Sequence, residues 1–215
     1  MIVMSAQALL KGFAGTVALI GLMYWLTSGH TVATTAVRPN INTATLRSGD
    51  IIFRRGPSLE SQAVVTFDGG AVFSHVGIVV CQDGVTQVIH VVPAEGGPDI
   101  TKTEPVEEYL RSDRALAAKA YRVISENPSQ IKQAVEIAKD YARHQVPFDN
   151  NFDLASDDAL YCTELVWRAY QKAGIDLLDG HFEQSTTSLI KGPVIWPSSL
   201  LHSEHLEPVW EWKEK

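Results

Sequence analysis

Two stretches near the middle of the chain, residues 75–81 (HVGIVVC) and 86–92 (TQVIHVV), are rich in β-branched residues and predict neighbouring strands. Gln82-Asp83-Gly84 lies between them, and its Asp-Gly pair predicts a tight hairpin. Residues 46–55 (LRSGDIIFRR) predict a short strand after a Gly-Asp turn, and residues 116–124 (LAAKAYRVI) another. Residues 58–67 (SLESQAVVTF) have helix character up to the break at Gly69-Gly70, and residues 106–112 (VEEYLRS) suggest one or two helical turns. Residues 96–105 (GGPDITKTEP) read as a loop.

Helical spacing is clearest further on. Ile131, Ala134, Val135, Ala138, Tyr141 and Ala142 recur at 3–4-residue intervals, with Ser129 near the expected cap. A polar loop with scattered aromatics, residues 147–158, separates this helix from a second, from about Leu160 to Ala173. The second carries Leu165, Val166, Ala169, Tyr170 and Ala173 on one face, and Gly174 stands where it should end. The tail reads as a proline-initiated helix over residues 197–207, followed by an aromatic end, Val209-Trp210-Glu211-Trp212.

The N-terminus follows a different pattern. Gly12–Thr27 is a run of sixteen residues without a charge, preceded by Lys11. It lacks polar periodicity, and small residues follow it, so residues 1–30 read as a signal peptide or membrane anchor rather than a buried amphipathic helix. Residues 31–46, without acids or aromatics, read as a linker, and 47–215 as one folded domain. Export to the periplasm, or anchoring in the inner membrane facing outward, is the location this predicts.

Charge narrows the function. Of 215 residues, 45% are hydrophobic, and the formal net charge is -7. Residues 50–215 hold all 25 acids and 15 of the 18 bases, a balance of -10. Such a surface repels phosphate backbones, so nucleic acid is an unsuitable partner.

The two cysteines, Cys81 and Cys162, have different settings. Cys81 ends a strand run, whereas Cys162 opens an amphipathic helix, and this argues against pairing them in a disulfide. At a helix start, unpaired N–H groups and the positive dipole end favour thiolate over thiol and can also hold an oxyanion. A small apolar residue at the start of a buried helix is the plainer alternative. His75, at the mouth of an apolar strand, needs a partner, and an imidazole beside a thiol serves as general base and then acid. His90 interrupts the next strand, and the hairpin brings the two together, so His90 is the expected orienting member of a triad. Glu95, past Pro93 in a glycine-rich loop, is the runner-up for that role.

Zinc held by His75, His90 and Cys162 is the competing reading, but no two-ligand motif supports it, and no cofactor is expected. Asp149, Asp153, Asp157 and Asp158 depart from a calcium-loop spacing and read as a solvated acidic loop with capping duties. His144, His181, His202 and His205 read as solvated.

The segments LRSGDIIFRRG, FSHVGIVV, PFDNNFDLASDDALYCTELVWRAYQKAGI and WPSSLLHSEHLEPV together resemble the YiiX-like branch of the permuted NlpC-type, papain-like cysteine hydrolases. The resemblance runs from about Leu46 to the C-terminus. It implies an α+β, circularly permuted papain-like fold, an antiparallel sheet or barrel packed on the nucleophile helix. It also implies Cys162 as nucleophile, His75 as base, and a third polar residue on the following strand, where His90 stands although an acid is frequent there. The function it implies is an amidase or esterase working through a thioester, on cell-wall peptide or lipid. A lipid acyltransferase and a catalytically silent binding module are the alternatives. The aromatics Phe148, Phe152, Trp196, Trp210 and Trp212 suit either lipid contact or core packing.

Overall fold

A computed structural model of the chain describes Val37, Pro39 and residues 41–69, 71–93, 98–185, 190 and 192–213. The apolar run 12–27, half of the linker and Glu95 lie outside the described residues. All described elements belong to one unit, Ala36–Lys215. Among the described residues, no helix is long and apolar enough to cross a membrane.

Six strands form one antiparallel sheet: β1 (Ile51–Arg55), β2 (His75–Gln82), β3 (Val85–Val91), β4 (Thr101–Pro105), β5 (Ala117–Val123) and β8 (Leu206–Lys213), in the order β4-β3-β2-β1-β5-β8. A separate two-stranded ribbon pairs β6 (Glu183–Gln184) with β7 (Pro193–Val194). The helices are α1 (Leu59–Phe67), α2 (Val106–Tyr109), α3 (Pro128–Arg143), α4 (Cys162–Lys172) and α5 (Pro197–Leu201).

The sheet buries both faces, which is why its strands read as nearly continuous apolar runs rather than alternating ones. Ile51, Phe53, Val76, Ile78, Val80, Ile89 and Val91 pack with Ala134, Val135, Ala138, Leu165, Val166, Ala169 and Tyr170 of α3 and α4. On the reverse face, Ile52, Val79, Val88, Ala118 and Ala120 pack with Val106, Tyr109 and Leu110 at α2. Trp210 and Trp212 lie half-buried against this second cluster, Trp196 is buried in the first, and Phe148 and Phe152 pack against the first. These aromatics pack against the cores.

The hairpin between β2 and β3 forms as the Asp-Gly pair requires. Asp83 and Gly84 both have positive φ, 52° and 77°, the type I′ geometry that matches strand twist. Pairing runs from Gln82↔Val85 to Ile78↔Ile89. At Gly77 the neighbouring strand comes too close for a side chain: an added Cβ would lie 2.6 Å from Val88 Cγ1, 2.7 Å from the Ile89 carbonyl oxygen and 3.1 Å from His90 Cβ.

Several expectations need correction. The sheet is open among the described residues, not a barrel. Its edges are β4 and β8, and β4 ends in Pro105, a residue without the N–H that a further partner would need. The stretch read as a loop at 96–105 contains β4, because Thr101-Lys102-Thr103-Glu104 alternates suitably and finds a partner in β3. The tail helix stops at Leu201, and Leu206 onward joins the sheet as β8, where the aromatics gain a buried face. Asn127, not Ser129, caps α3, accepting a hydrogen bond from the Ser129 N–H at 3.1 Å. Asp149 is buried rather than solvated, and its carboxylate accepts the N–H groups of Asn151 (2.8 Å) and Asp153 (2.5 Å), closing its own loop.

Gly77→Ala should therefore overpack the β2–β3 contact and lower stability by about 1–3 kcal/mol. The check is chemical denaturation: the midpoint should fall with the slope unchanged, and an unshifted midpoint would refute the close-approach account.

Candidate active site

Cys162 is the first residue of α4, and Tyr161 before it is the N-cap with extended backbone. Tyr161 supplies no side-chain cap, so the first-turn N–H groups stay available. The Cys162 thiol, half-buried against the helix-side core, lies among the backbone N–H groups of Val76, Thr163 and Cys162 itself. Val76 adjoins His75, so the start of α4 meets the start of β2. Thr163 locks this end of the helix by donating its hydroxyl to the Ile195 carbonyl at 2.6 Å. Cys81 is exposed and Cys162 is free, so no disulfide joins them.

His75 and His90 lie on the α2 side of the sheet, diagonally across the β2–β3 pair, at 6% and 0% exposure. His75 Nε2 and His90 Nδ1 are 2.9 Å apart, and the rings meet edge-to-face with centroids 5.1 Å apart. Tyr109 of α2 closes the cluster, its ring 5.7 Å from His75 and 5.0 Å from His90. The structure thus brings His75 and His90 into direct contact and brings Cys162 to the backbone beside His75. Among the described residues, no hydrogen bond links the thiol to the His75 ring. His90 takes up His75 Nε2, which leaves Nδ1 as the other nitrogen of that ring.

Sequence reasoning missed four charged neighbours of the histidine pair. Glu104 of β4 places Oε1 3.0 Å from His90 Nε2. It was hidden in a segment read as a loop, and its alternation with Lys102 was the signal. Arg114 Nη1 donates to both Glu104 oxygens at 3.3 and 3.2 Å, and Lys102 Nζ lies 3.3 Å from Oε2. Arg54, buried and opposite His75 in the β1–β2 register, donates to the Tyr109 carbonyl at 2.6 Å and stacks its guanidinium 4.5 Å from the Tyr109 ring centre. Its place within an apolar strand run was the signal.

These surroundings set the charge states. Burial holds His75 well below the ordinary histidine range, helped by the positive charge of Arg54. Burial likewise brings His90 down to about 4, against the opposing pull of the Glu104 hydrogen bond. Burial pushes the Cys162 thiol up to about 11, although the amides of Val76 and Thr163 and the charge of Arg54 all favour thiolate. The expected resting thiolate is therefore corrected: desolvation outweighs the helix start, and the pair rests as neutral thiol and neutral imidazole. Glu164, two residues on, is fully buried, and burial raises it to about 7 against the pull of Arg168, whose Nε donates to Oε1 at 2.7 Å. Arg168 also donates to the carbonyls of Leu154 (2.8 Å) and Ser156 (2.9 Å), tying the 147–158 loop to α4.

His144, His181 and His202 are exposed, and His205 is half-buried with Nε2 2.9 Å from Asp179 Oδ1. Among the described residues no group of three or more His, Cys, Asp or Glu side chains is placed to hold a metal ion.

Residues 45–210 match the family described as permuted papain-like amidases, YaeF/YiiX, peptidase family C92. The chain belongs to this family. Uncharacterized protein YiiX of Escherichia coli (strain K12) is 30% identical over 128 residues, covering 59% of this chain and 58% of that protein. The chain thus aligns with little more than half of that relative's length. A crystal structure titled as the metalloprotein YiiX from Escherichia coli O157:H7 superposes with a TM-score of 0.65 at 23% identity, covering 79% of this chain and 99% of that one. The metal named for that protein belongs to the relative. In this chain His90 has both ring nitrogens engaged and His75 has Nε2 engaged, so the residues at the site do not fit a metal, and no step below uses one.

Alkylation of Cys162 by iodoacetamide in the folded protein should keep accelerating with pH beyond the ordinary thiol range of about 8.5, following a thiol near 11. Mass spectrometry of the peptide holding Cys162 reads this rate, and a plateau reached by pH 8 would contradict a buried neutral thiol.

Proposed function

We propose that this member of the amidase family is a cysteine hydrolase of permuted order, with the base strand ahead of the nucleophile helix. Its bond cleavage would pass through a thioester on Cys162. One observation carries the reading: a thiol at a helix start meets the first residues of a strand whose histidine is backed by a second histidine and a carboxylate.

In the first step His75 Nδ1 takes the Sγ proton as sulfur attacks the substrate carbonyl carbon. The resulting oxyanion is within the field of the Cys162 and Thr163 amides at the start of α4. The intermediate collapses, the carbon–nitrogen or carbon–oxygen bond breaks, and the leaving amine or alcohol takes the proton back from His75 Nδ1. Water then attacks the thioester, giving its proton to the same nitrogen, and release of the acid restores the thiol. A depressed His75 keeps the base unprotonated through neutral pH, and the raised thiol means that proton transfer accompanies attack rather than preceding it.

An amide substrate is the first reading, in keeping with the family. Cell-wall peptide is the class proposed, since the negative domain has no call on anionic polymers. Acyl ester or amide of lipid is the second reading, favoured by exposed Leu59 and Phe67 on α1 and Val72 just ahead of His75. Trapping distinguishes them. Incubation with acyl amide and acyl ester probes should leave an acyl mass on Cys162, and the preferred probe names the class. Cys162→Ala should abolish the adduct, His75→Ala should nearly abolish it, and His90→Ala should reduce it substantially but incompletely. A wild-type chain that never acylates with any probe would favour the silent binding module.

We further propose that residues 1–30 carry the domain across a membrane, as a cleaved signal or an anchor. External protease added to spheroplasts should digest the domain. Protection of residues 50–215 would reverse this assignment.

A further inference from the structure

We infer that Glu104 is a positioning residue that fixes the tautomer of both histidines, so that His75 presents a bare Nδ1 to the sulfur. The inference rests on the Cys162–His75 reading and adds to it a residue that acts two bonds away from the base.

The argument is one of hydrogen-bond polarity. An ionised carboxylate only accepts, and a neutral imidazole has one N–H and one lone pair. His90 Nε2, 3.0 Å from Glu104 Oε1, must then carry the hydrogen, which leaves His90 Nδ1 as an acceptor. That nitrogen lies 2.9 Å from His75 Nε2, which must carry the hydrogen in turn. His75 Nδ1 is left with its lone pair. The chain has a direction, and Glu104 sets it from the far end.

Two features hold Glu104 to this part. Burial by itself would raise its carboxyl, but the His90 hydrogen bond and the charges of Lys102 and Arg114 bring it down to about 2, so it stays an acceptor across the working range. Both cations donate only: Lys102 sits at Oε2, the oxygen that His90 does not contact, and Arg114 reaches both oxygens. When His75 takes the cysteine proton at Nδ1, both existing N–H bonds keep their direction. The new positive charge faces a chain that ends in an anion, and no proton needs to travel along it.

This polarity makes an unusual prediction for an isosteric change. In Glu104→Gln, Lys102 and Arg114 should hold the amide oxygen and turn the NH₂ group toward His90. The NH₂ donates to His90 Nε2, His90 Nδ1–H donates to His75 Nε2, and His75 Nδ1 acquires the hydrogen. The base at the sulfur is then lost, although shape is kept. Glu104→Ala removes the directing group without imposing the opposite direction. The isostere should therefore be the more damaging of the two. A merely structural role would order them the other way.

The test uses the full-length chain with ¹⁵N-labelled histidine. Long-range ¹H–¹⁵N correlation spectra assign each ring nitrogen as protonated or bare. The unmutated protein should show both His75 and His90 with hydrogen on Nε2, and Glu104→Gln should move it to Nδ1 on both. In parallel, iodoacetamide alkylation of Cys162 at neutral pH should slow on the order of 10²-fold in Glu104→Gln and less in Glu104→Ala. Hydrogen on Nδ1 of either ring in the unmutated protein overturns the inference, and needs no variant to fold. So does a Gln variant that keeps Nδ1 bare or alkylates faster than the Ala variant. The spectra do not depend on turnover, so they fail or succeed separately from the proposed hydrolase reaction, which the Cys162 and His75 variants test.

Discussion

Two imidazoles buried on one sheet face cannot be left unpaired, since each unmet polar atom costs roughly 1–3 kcal/mol, and the local architecture follows from meeting that demand. The β2–β3 register sets His75 and His90 on a diagonal, within reach of each other. Gly77 removes the Cβ that would collide with the neighbouring strand at this point. The β3–β4 register, Val88↔Glu104 and His90↔Lys102, brings a carboxylate to the second ring and a cation beside it. Tyr109 covers the rings, and its hydroxyl donates to the Ile52 carbonyl at 3.1 Å, which fixes α2 on the sheet.

The site shows two opposing electrostatic influences, and their relative size decides its resting state. Backbone amides at the start of α4 and the charge of Arg54 favour thiolate. Removal from water favours thiol, and it wins. The same desolvation keeps both histidines uncharged, so the site avoids burying an ion pair, whose cost would be several kcal/mol per ion. Apart from the buried Arg54 guanidinium, charge lies at the outer end of the histidine chain, where Glu104 meets Lys102 and Arg114. In the proposed reaction, charge would form at the sulfur only as it attacks a substrate carbonyl.

A second buried carboxyl shows what an incompletely met demand does. Glu164 has one oxygen held by Arg168 and the other, Oε2, buried without a hydrogen-bond partner. Its affinity for protons rises accordingly. With a folded value of about 7 above the ordinary 4.5, its contribution to stability is present at low pH and is lost as pH rises between them. The depressed histidines work in the other direction, contributing stability at higher pH that is lost as pH falls from 6.5 toward 4. The two trends oppose each other over mildly acidic pH. Arg168 meanwhile links Glu164 to the loop ahead of Cys162, so that loop is tied to the helix that carries the cysteine.

Local pattern determined a good deal by itself. The Asp-Gly hairpin, the spacing of α3, the position of Cys162 at a helix start and the pairing of His75 with His90 all depend on contacts within a few tens of residues. Each leaves a mark in hydrophobic period or turn chemistry. Only the tertiary structure decided the rest. Thr101–Pro105 alternates but is polar and flanked by Gly and Pro, so its local pattern does not make it a strand until β3 offers its edge, and Glu104 found its place only with that pairing. The protonation of Cys162 was misjudged from sequence for the same kind of reason. A helix start is a local feature, whereas desolvation is the sum of everything packed around the sulfur from α4 and β2, and that sum exists only once the chain has folded.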